Sequence, residues 1–218
     1  MEVQILEKTG FRMRLMIRGI TTPFANALRR IMLSEVPAMA IEDVVIIENS
    51  SVLHDEILAH RLGFIPLKTD LDSYNLPEEC SCKSELGCNL CRVALTLDAE
   101  AADDVEAVYS GDLHSDNLDI TPVSDKILIA KLAPDQRIKL EAYARLGKGM
   151  VHAKWQPVSA CAYELKPQDD AENSSDDTFI FNIESTGALP VERIVVEAVD
   201  ILDRRFEDFA KQLKKVKK

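Results

Sequence analysis

The stretch GITTPFANALRRIMLSEVPAMAI, residues 19–41, decides the reading of the whole chain. Thr22 can accept hydrogen bonds from the free amides of a first helical turn, and Pro23 brings no amide that would go unpaired there. Pro37 forbids continuation, since it lacks a donor and clashes with the turn behind it. A helix of about four turns results. Phe24, Ala27, Leu28 and Ile31 share one face, and Met32, Leu33 and Val36 widen it beyond a single seam. Asn26, Arg29 and Arg30 are its polar interruptions. The adjacent arginines read either as a solvated edge or as a docking point for an acidic partner, because a guanidinium fork suits carboxylates at interfaces.

On the N-terminal side, Phe11, Met13, Leu15 and Ile17 alternate with Arg12, Arg14, Met16 and Arg18, the two-residue period of a half-buried strand. With Thr9-Gly10 as the turn, residues 2–18 make a hairpin. Beyond Pro37, AIEDVVIIENSS is rich in β-branched residues and predicts a strand over about 41–48. Residues 51–63 read as a short helix on Leu53, Ile57 and Leu58, stopped at Gly63. Residues 68–92 are polar and without useful period, a loop held by something other than a core. From Val93 the pattern becomes short strands: VALTLDAE, EAVYSG, KILIAKL and RIKLEAYARLG.

Residues 148–162 hold the only tryptophan, and PQDDAENSSDD, 167–177, reads as an acidic linker. Phe179, Phe181 and Ile183 alternate as a further strand. Pro190 then opens a second long helix with an apolar stripe at Val191, Val195, Val199, Leu202, Phe206, Phe209 and Leu213. That stripe runs over about six turns, roughly 35 Å.

The layout is α+β. A discontinuous lobe, 1–41 and 155–218, carries a sheet and two long helices, and a β-rich insert lobe, 42–154, interrupts it. The stripe on the last helix either packs on its own sheet or leaves surface to be covered by another subunit.

A formal net charge of -11 over 218 residues argues against free-standing nucleic-acid binding. The basic end at 211–218 reads as a solvated helix terminus that complements the helix dipole. No run approaches the ~18 apolar residues of a membrane helix, and the first residues lack a secretory pattern, so a cytoplasmic location is expected. Glycine-rich phosphate loops, GxSxG elbows and HExxH helices are missing.

Four of the five cysteines fall in Cys80-Ser-Cys82 and Cys88-Asn-Leu-Cys91. In a cytoplasmic chain such clustering points to metal rather than to disulfides. Two close pairs joined by a five-residue loop can bring four thiolates into the tetrahedron that satisfies structural zinc. An iron-sulfur cluster uses the same four ligands, and unliganded thiols are the third reading. Cys161, in SACAY, reads as buried packing. His54, His60, His114 and His152 share no metal-ligand spacing. His60 beside Arg61, and His152 near Lys154, read either as interface contacts or as satisfied structural histidines.

Residues 24–67, FANALRRIMLSEVPAMAIEDVVIIENSSVLHDEILAHRLGFIPL, and 148–165, KGMVHAKWQPVSACAYEL, resemble the signature segments of the alpha-like subunits of cellular RNA polymerases. The paired cysteines resemble the zinc loop of the eukaryotic members, and the short chain resembles the archaeal ones. The resemblance covers nearly the whole length. It implies a discontinuous dimerisation lobe with an insert lobe, and a non-catalytic assembly role in transcription. It implies a heterodimer with the small subunit L, a platform completed by small subunits N and P, and docking of the second-largest, catalytic subunit. DNA is met only through the holoenzyme, whose magnesium and aspartates lie in the largest subunit.

On the same resemblance, Phe24, Leu28, Ile31, Val195, Val199, Leu202, Phe206 and Phe209 would meet L. Asn26, Arg29 and Arg30 of NALRR, with His60 and Arg61 of AHRLG, would dock the second-largest subunit or brace the two lobes. Many archaeal members carry a ferredoxin-like domain after the segment matching 159–163. Here only Cys161 and the acidic linker stand in that place, and one cysteine cannot hold such a cluster. The rival readings are a free iron-sulfur redox protein and a stand-alone DNA-binding regulator.

Overall fold

The computed structural model describes residues 1–84, 87–166 and 177–216. In chain order the elements are β1 (Glu2–Lys8), β2 (Arg12–Arg18), α1 (Thr22–Ser34), β3 (Pro37–Asn49), α2 (Asp55–Gly63), β4 (Val93–Glu100), β5 (Glu106–Tyr109), β6 (His114–Ser115), β7 (Leu128–Leu132), β8 (Arg137–Lys148), β9 (Val158–Lys166), β10 (Thr178–Ser185) and α3 (Val191–Val216). The fold is mixed α+β, and every recorded strand register is antiparallel. Two compact units share the chain: one holds residues 1–36, 148–151 and the described residues from 156 onward, the other 37–147 and 152–155.

In the first unit the sheet order is β1-β2-β10-β9. Ile17, Leu15 and Met13 stand opposite Phe179, Phe181 and Ile183, and all six are buried. Tyr163 on β9 meets Phe179 edge-on, with ring centroids 5.5 Å apart. α1 packs on β9 and on α3, which in turn packs on β2 and β10. The opposite face of the sheet is polar: Arg18 pairs with Glu2, Arg14 with Glu164, and Arg12 with Glu184, around buried Met16 and Ile180.

The ends of α1 differ from the sequence reading. The N-cap is Thr21, which uses its backbone carbonyl, 3.0 Å from the amide of Ala25, and makes no side-chain cap. At the other end the amides of Glu35 and Val36 both reach the carbonyl of Ile31, at 2.9 and 3.2 Å. The helix has therefore closed before Pro37, which instead begins β3. Phe11, expected to alternate into the core, lies just ahead of β2 and is 56% exposed.

In the second unit β3-β8-β4-β6 form one sheet and β5-β7 a two-stranded one. Leu58 and Leu62 of α2 join Leu95, Leu97, Ile138 and Leu140 in its core. The helix predicted over 51–63 starts only at Asp55. Asn49 holds the preceding turn open: its amide donates to the carbonyl of Leu53 (2.8 Å) and to Asp55 Oδ1 (2.7 Å), and its oxygen accepts from Ser51 Oγ (2.7 Å). These short side chains offer the backbone a local alternative to helix. The FIPL segment is pinned by amide bonds, Lys68 to the Thr121 carbonyl and Val123 to that of Pro66.

Candidate metal centre and interaction surfaces

Residues 68–92 contain no helix or strand among the described residues, so their shape rests on turns. Asn75 donates its amide to Leu90 (2.8 Å), tying together the two sides of the loop, and Leu76 is buried below. The second cysteine pair is a tight knuckle in which the amides of Cys91 and Arg92 both reach the Cys88 carbonyl at 2.9 Å. Gly87 enters it at φ 77, where a side chain is strained, and a β-carbon there would stand 3.3 Å from Cys91 Sγ. Arg92 lies over the ring of Tyr143, 4.2 Å from its centroid, so the exit from the knuckle is anchored on β8.

Cys80, Cys82, Cys88 and Cys91 converge, their sulfurs all within 4.8 Å of one another. The closest separations are 3.7 Å for Cys80 and Cys88, and 3.8 Å for Cys82 with Cys91 and for Cys88 with Cys91. A disulfide requires about 2.05 Å. A tetrahedron of thiolates around zinc, with Zn–S near 2.3 Å, has edges of about 3.8 Å. The donor set thus fits one tetrahedral ion such as zinc, whereas a multi-iron cluster spreads its thiolates further apart.

Two backbone amides already point at sulfur: that of Cys88 at Cys91 Sγ (3.2 Å) and that of Leu90 at Cys88 Sγ (3.4 Å). A hydrogen bond from the backbone of Ser84, aided by the neighbouring thiols, lowers the Cys82 thiol to about 7. Burial pushes that of Cys91 up to about 12. Four thiolates so close need a cation to ionise together. Cys161 stands apart on β9, buried and with its thiol raised to about 11 by burial, and has no such neighbours.

Of the surface residues singled out in the sequence, Leu28 and Ile31 are 2% and 3% exposed, so they support α1 from behind and offer a partner no area. Phe24 and Asn26 are half-buried. Asn26 accepts from Arg29 Nη2 at 3.0 Å, while Arg30 is exposed. No carboxylate pairs with either arginine among the described residues. Arg61 is committed within its own unit, donating to the carbonyl of Leu128 on β7 (2.9 Å). His60 is exposed and packs at a tilt against Phe64, with ring centroids 5.0 Å apart, and Phe64 in turn meets His152 at 5.6 Å.

On α3 the inward side is Val191, Ile194 and Ala198. Val195 and Leu202 are half-buried, and Val199, Phe206 and Phe209 are 46%, 60% and 61% exposed. Every described residue from Asp203 onward is exposed. From Val199 the apolar positions Leu202, Phe206, Phe209, Leu213 and Val216 fall at alternating steps of three and four, the spacing of a helix-on-helix seam. Lys211 spends its charge locally on Glu207 and Asp208. The acidic linker at 167–176 and residues 217–218 lie outside the described residues.

Sequence reasoning missed a cluster in the second unit. Glu42 accepts from Lys154 and from Arg145 (3.0 Å), Lys154 also donates to the carbonyl of Ile41 (3.0 Å), and its ammonium lies 4.5 Å from the centre of the Trp155 ring. Nothing periodic links residues 112 apart in the chain. No helix among the described residues is long and apolar enough to cross a membrane.

The profile of the RNA polymerase Rpb3/Rpb11 dimerisation domain matches residues 14–206. Among curated proteins, the DNA-directed RNA polymerase subunit Rpo3 of Archaeoglobus fulgidus is 33% identical over 264 aligned residues, covering 99% of this chain and 98% of that one. The Pyrococcus furiosus subunit of the same name is 37% identical over 265, with the same coverage. That of Methanosphaera stadtmanae reaches 46% over 170, which is 77% of this chain and 62% of the relative. The first two alignments are longer than this chain's 218 residues, so those relatives carry segments that have no counterpart here.

Proposed function

Because the chain belongs to the RNA polymerase Rpb3/Rpb11 dimerisation-domain family, and its relatives are archaeal Rpo3 subunits along nearly their whole length, we propose that it assembles the enzyme by pairing with the small subunit L. It is a non-catalytic assembly subunit of an archaeal RNA polymerase, and its partner in the heterodimer is another polymerase subunit. On our reading, the first unit is the dimerisation lobe and the second is the insert lobe. With N and P, the pair forms the platform on which the large subunits assemble.

The observation that carries this reading is α3. Its apolar seam from Val199 to Val216 is continuous, regularly spaced and uncovered by the chain's own sheet. Exposed aromatic side chains such as Phe206 and Phe209 are the kind that dominate binding energy once desolvated. Arg29 and Arg30, without acidic partners among the described residues, and His60, on its exposed aromatic patch, suit the docking of the second-largest subunit. The four-cysteine centre holds zinc and fixes a loop that has no core of its own. The 3.7–3.8 Å sulfur spacing favours a single ion over the iron-sulfur redox alternative.

The test is a pull-down of the tagged chain from its native cells with mass-spectrometric identification of what accompanies it. Two very large polymerase subunits and a partner of roughly 10 kDa, the size of one small domain, are expected. Recovery of the chain alone, or with an electron-transfer enzyme, would refute the scaffold reading.

A further inference from the structure

The sheet of the first unit is left open at one edge. In the β1–β2 register Val3 stands opposite Ile17 and Ile5 opposite Leu15, so both β1 residues point to the inner, helix-bearing face. Ile17 and Leu15 are 5% and 4% exposed, as are other residues under α1 and α3, yet Val3 is 56% and Ile5 52% exposed. The reason lies in the layering. α1 sits towards β9 and α3 over β2 and β10. The start of α3 meets β1 at its far end, where Glu192 pairs with Lys8, while Val3 and Ile5 keep an exposed apolar face.

The same unit holds the opposite kind of surface. Past Leu202, α3 continues for about 20 Å at 1.5 Å per residue with every described residue exposed. Arg205, paired with Glu35 at the end of α1, fixes the root of this arm. An open sheet edge lacks a helix, and a projecting helix lacks a sheet. In a pairing of two like domains about a two-fold axis, each surface meets its complement on the other subunit.

We propose that the inner face of β1, at Val3 and Ile5, seats the projecting end of the partner subunit's long helix, while the α3 arm of this chain reaches the corresponding edge of the partner. This rests on the heterodimer reading above and extends it from the helices to the sheet edge. Each subunit's arm completes the other's apolar layer.

The test uses the full chain and its partner subunit in a binding titration, with the melting of the chain alone measured in parallel. Val3→Asp with Ile5→Asp places charges in the seat, and Val3→Thr with Ile5→Thr removes apolar area while keeping strand-forming residues. The aspartate pair weakens the heterodimer by about tenfold or more, the threonine pair by a smaller factor, and the melting of the chain alone is unchanged because both sites are exposed. Unchanged heterodimer affinity for both pairs would overturn the proposal, as would a loss of melting temperature in the chain alone. If the unmodified chain binds no polymerase partner, or Phe206→Asp with Phe209→Asp leaves the affinity intact, the heterodimer reading itself fails. Self-association of the chain that depends on Val3 and Ile5 would make the occupant a second copy and overturn the assignment.

Discussion

The indole of Trp155 occupies the space that a side chain on Gly147 would need: a β-carbon there would lie 2.3 Å from the ring. The ring is held in place by its own hydrogen bond to the Arg145 carbonyl at 3.2 Å and by the Lys154 ammonium, 4.5 Å from its centre. It cannot slide away without losing both. Gly147→Ala is expected to cost about 1–3 kcal/mol, the usual range for overpacking, read as a lower urea midpoint with an unchanged slope.

Glu42 gives a pH-dependent prediction. Partial burial raises its pKa, but the hydrogen bonds and charges of Lys154 and Arg145 outweigh that, and the net shift is below the ordinary 4.5. A carboxyl lowered in the folded state contributes stability that is complete above the unfolded value and is lost as pH falls through the folded one. Glu42→Gln should therefore destabilise the protein by about 1.5 kcal/mol near neutrality, the scale of a charge-assisted hydrogen bond. The gap between variant and parent should close as pH drops below 4.5. A gap that is constant from pH 7 to 3 would contradict this.

The metal centre predicts composition and order of loosening. Elemental analysis should find about one zinc per chain and no visible absorbance. Chelation should speed amide exchange in residues 70–92 before it does so in β4 or β8, since the described residues of the loop have no helix or strand ladder to protect their amides. Cys91→Ser should abolish stoichiometric zinc because three thiolates leave the tetrahedron open.

On α3, Phe206→Asp with Phe209→Asp should change the stability of the lone chain by no more than about 0.5 kcal/mol, as for exposed surface positions. The same pair should weaken the heterodimer by about 2 kcal/mol or more. Equal losses in both measurements would mean that the stripe belongs to the chain's own core.

What could be read from the sequence followed from period. The alternation through β2 and β10 announced buried Leu15, Ile17, Phe179 and Phe181, and the CxC and CxxC spacing announced the convergence of four sulfurs. Period cannot say what covers a face. Leu28 and Phe206 both sit on apolar helix stripes, yet one is in the lobe's core and the other is bare, because the difference depends on how far each helix runs past its sheet. The late start of α2 was hidden because Asn49 and Ser51 compete locally for backbone partners. β6, a two-residue strand, has no pattern long enough to detect. The Glu42–Lys154 contact depends on tertiary closure alone.

The discontinuity of the first unit also sets a timetable for synthesis. Arg14 of β2 bonds Asn182 of β10, 168 residues later. At about 5–20 residues per second, β2 and α1 wait roughly ten to thirty seconds on the ribosome for the strand that completes their sheet. During that interval Leu28, Ile31 and Met32 have nothing to pack on, while the second unit, nearly contiguous in the chain, can close on its own. The nascent chain should thus gain protease resistance in its middle before its beginning, and a chaperone that shields α1 would act in that window.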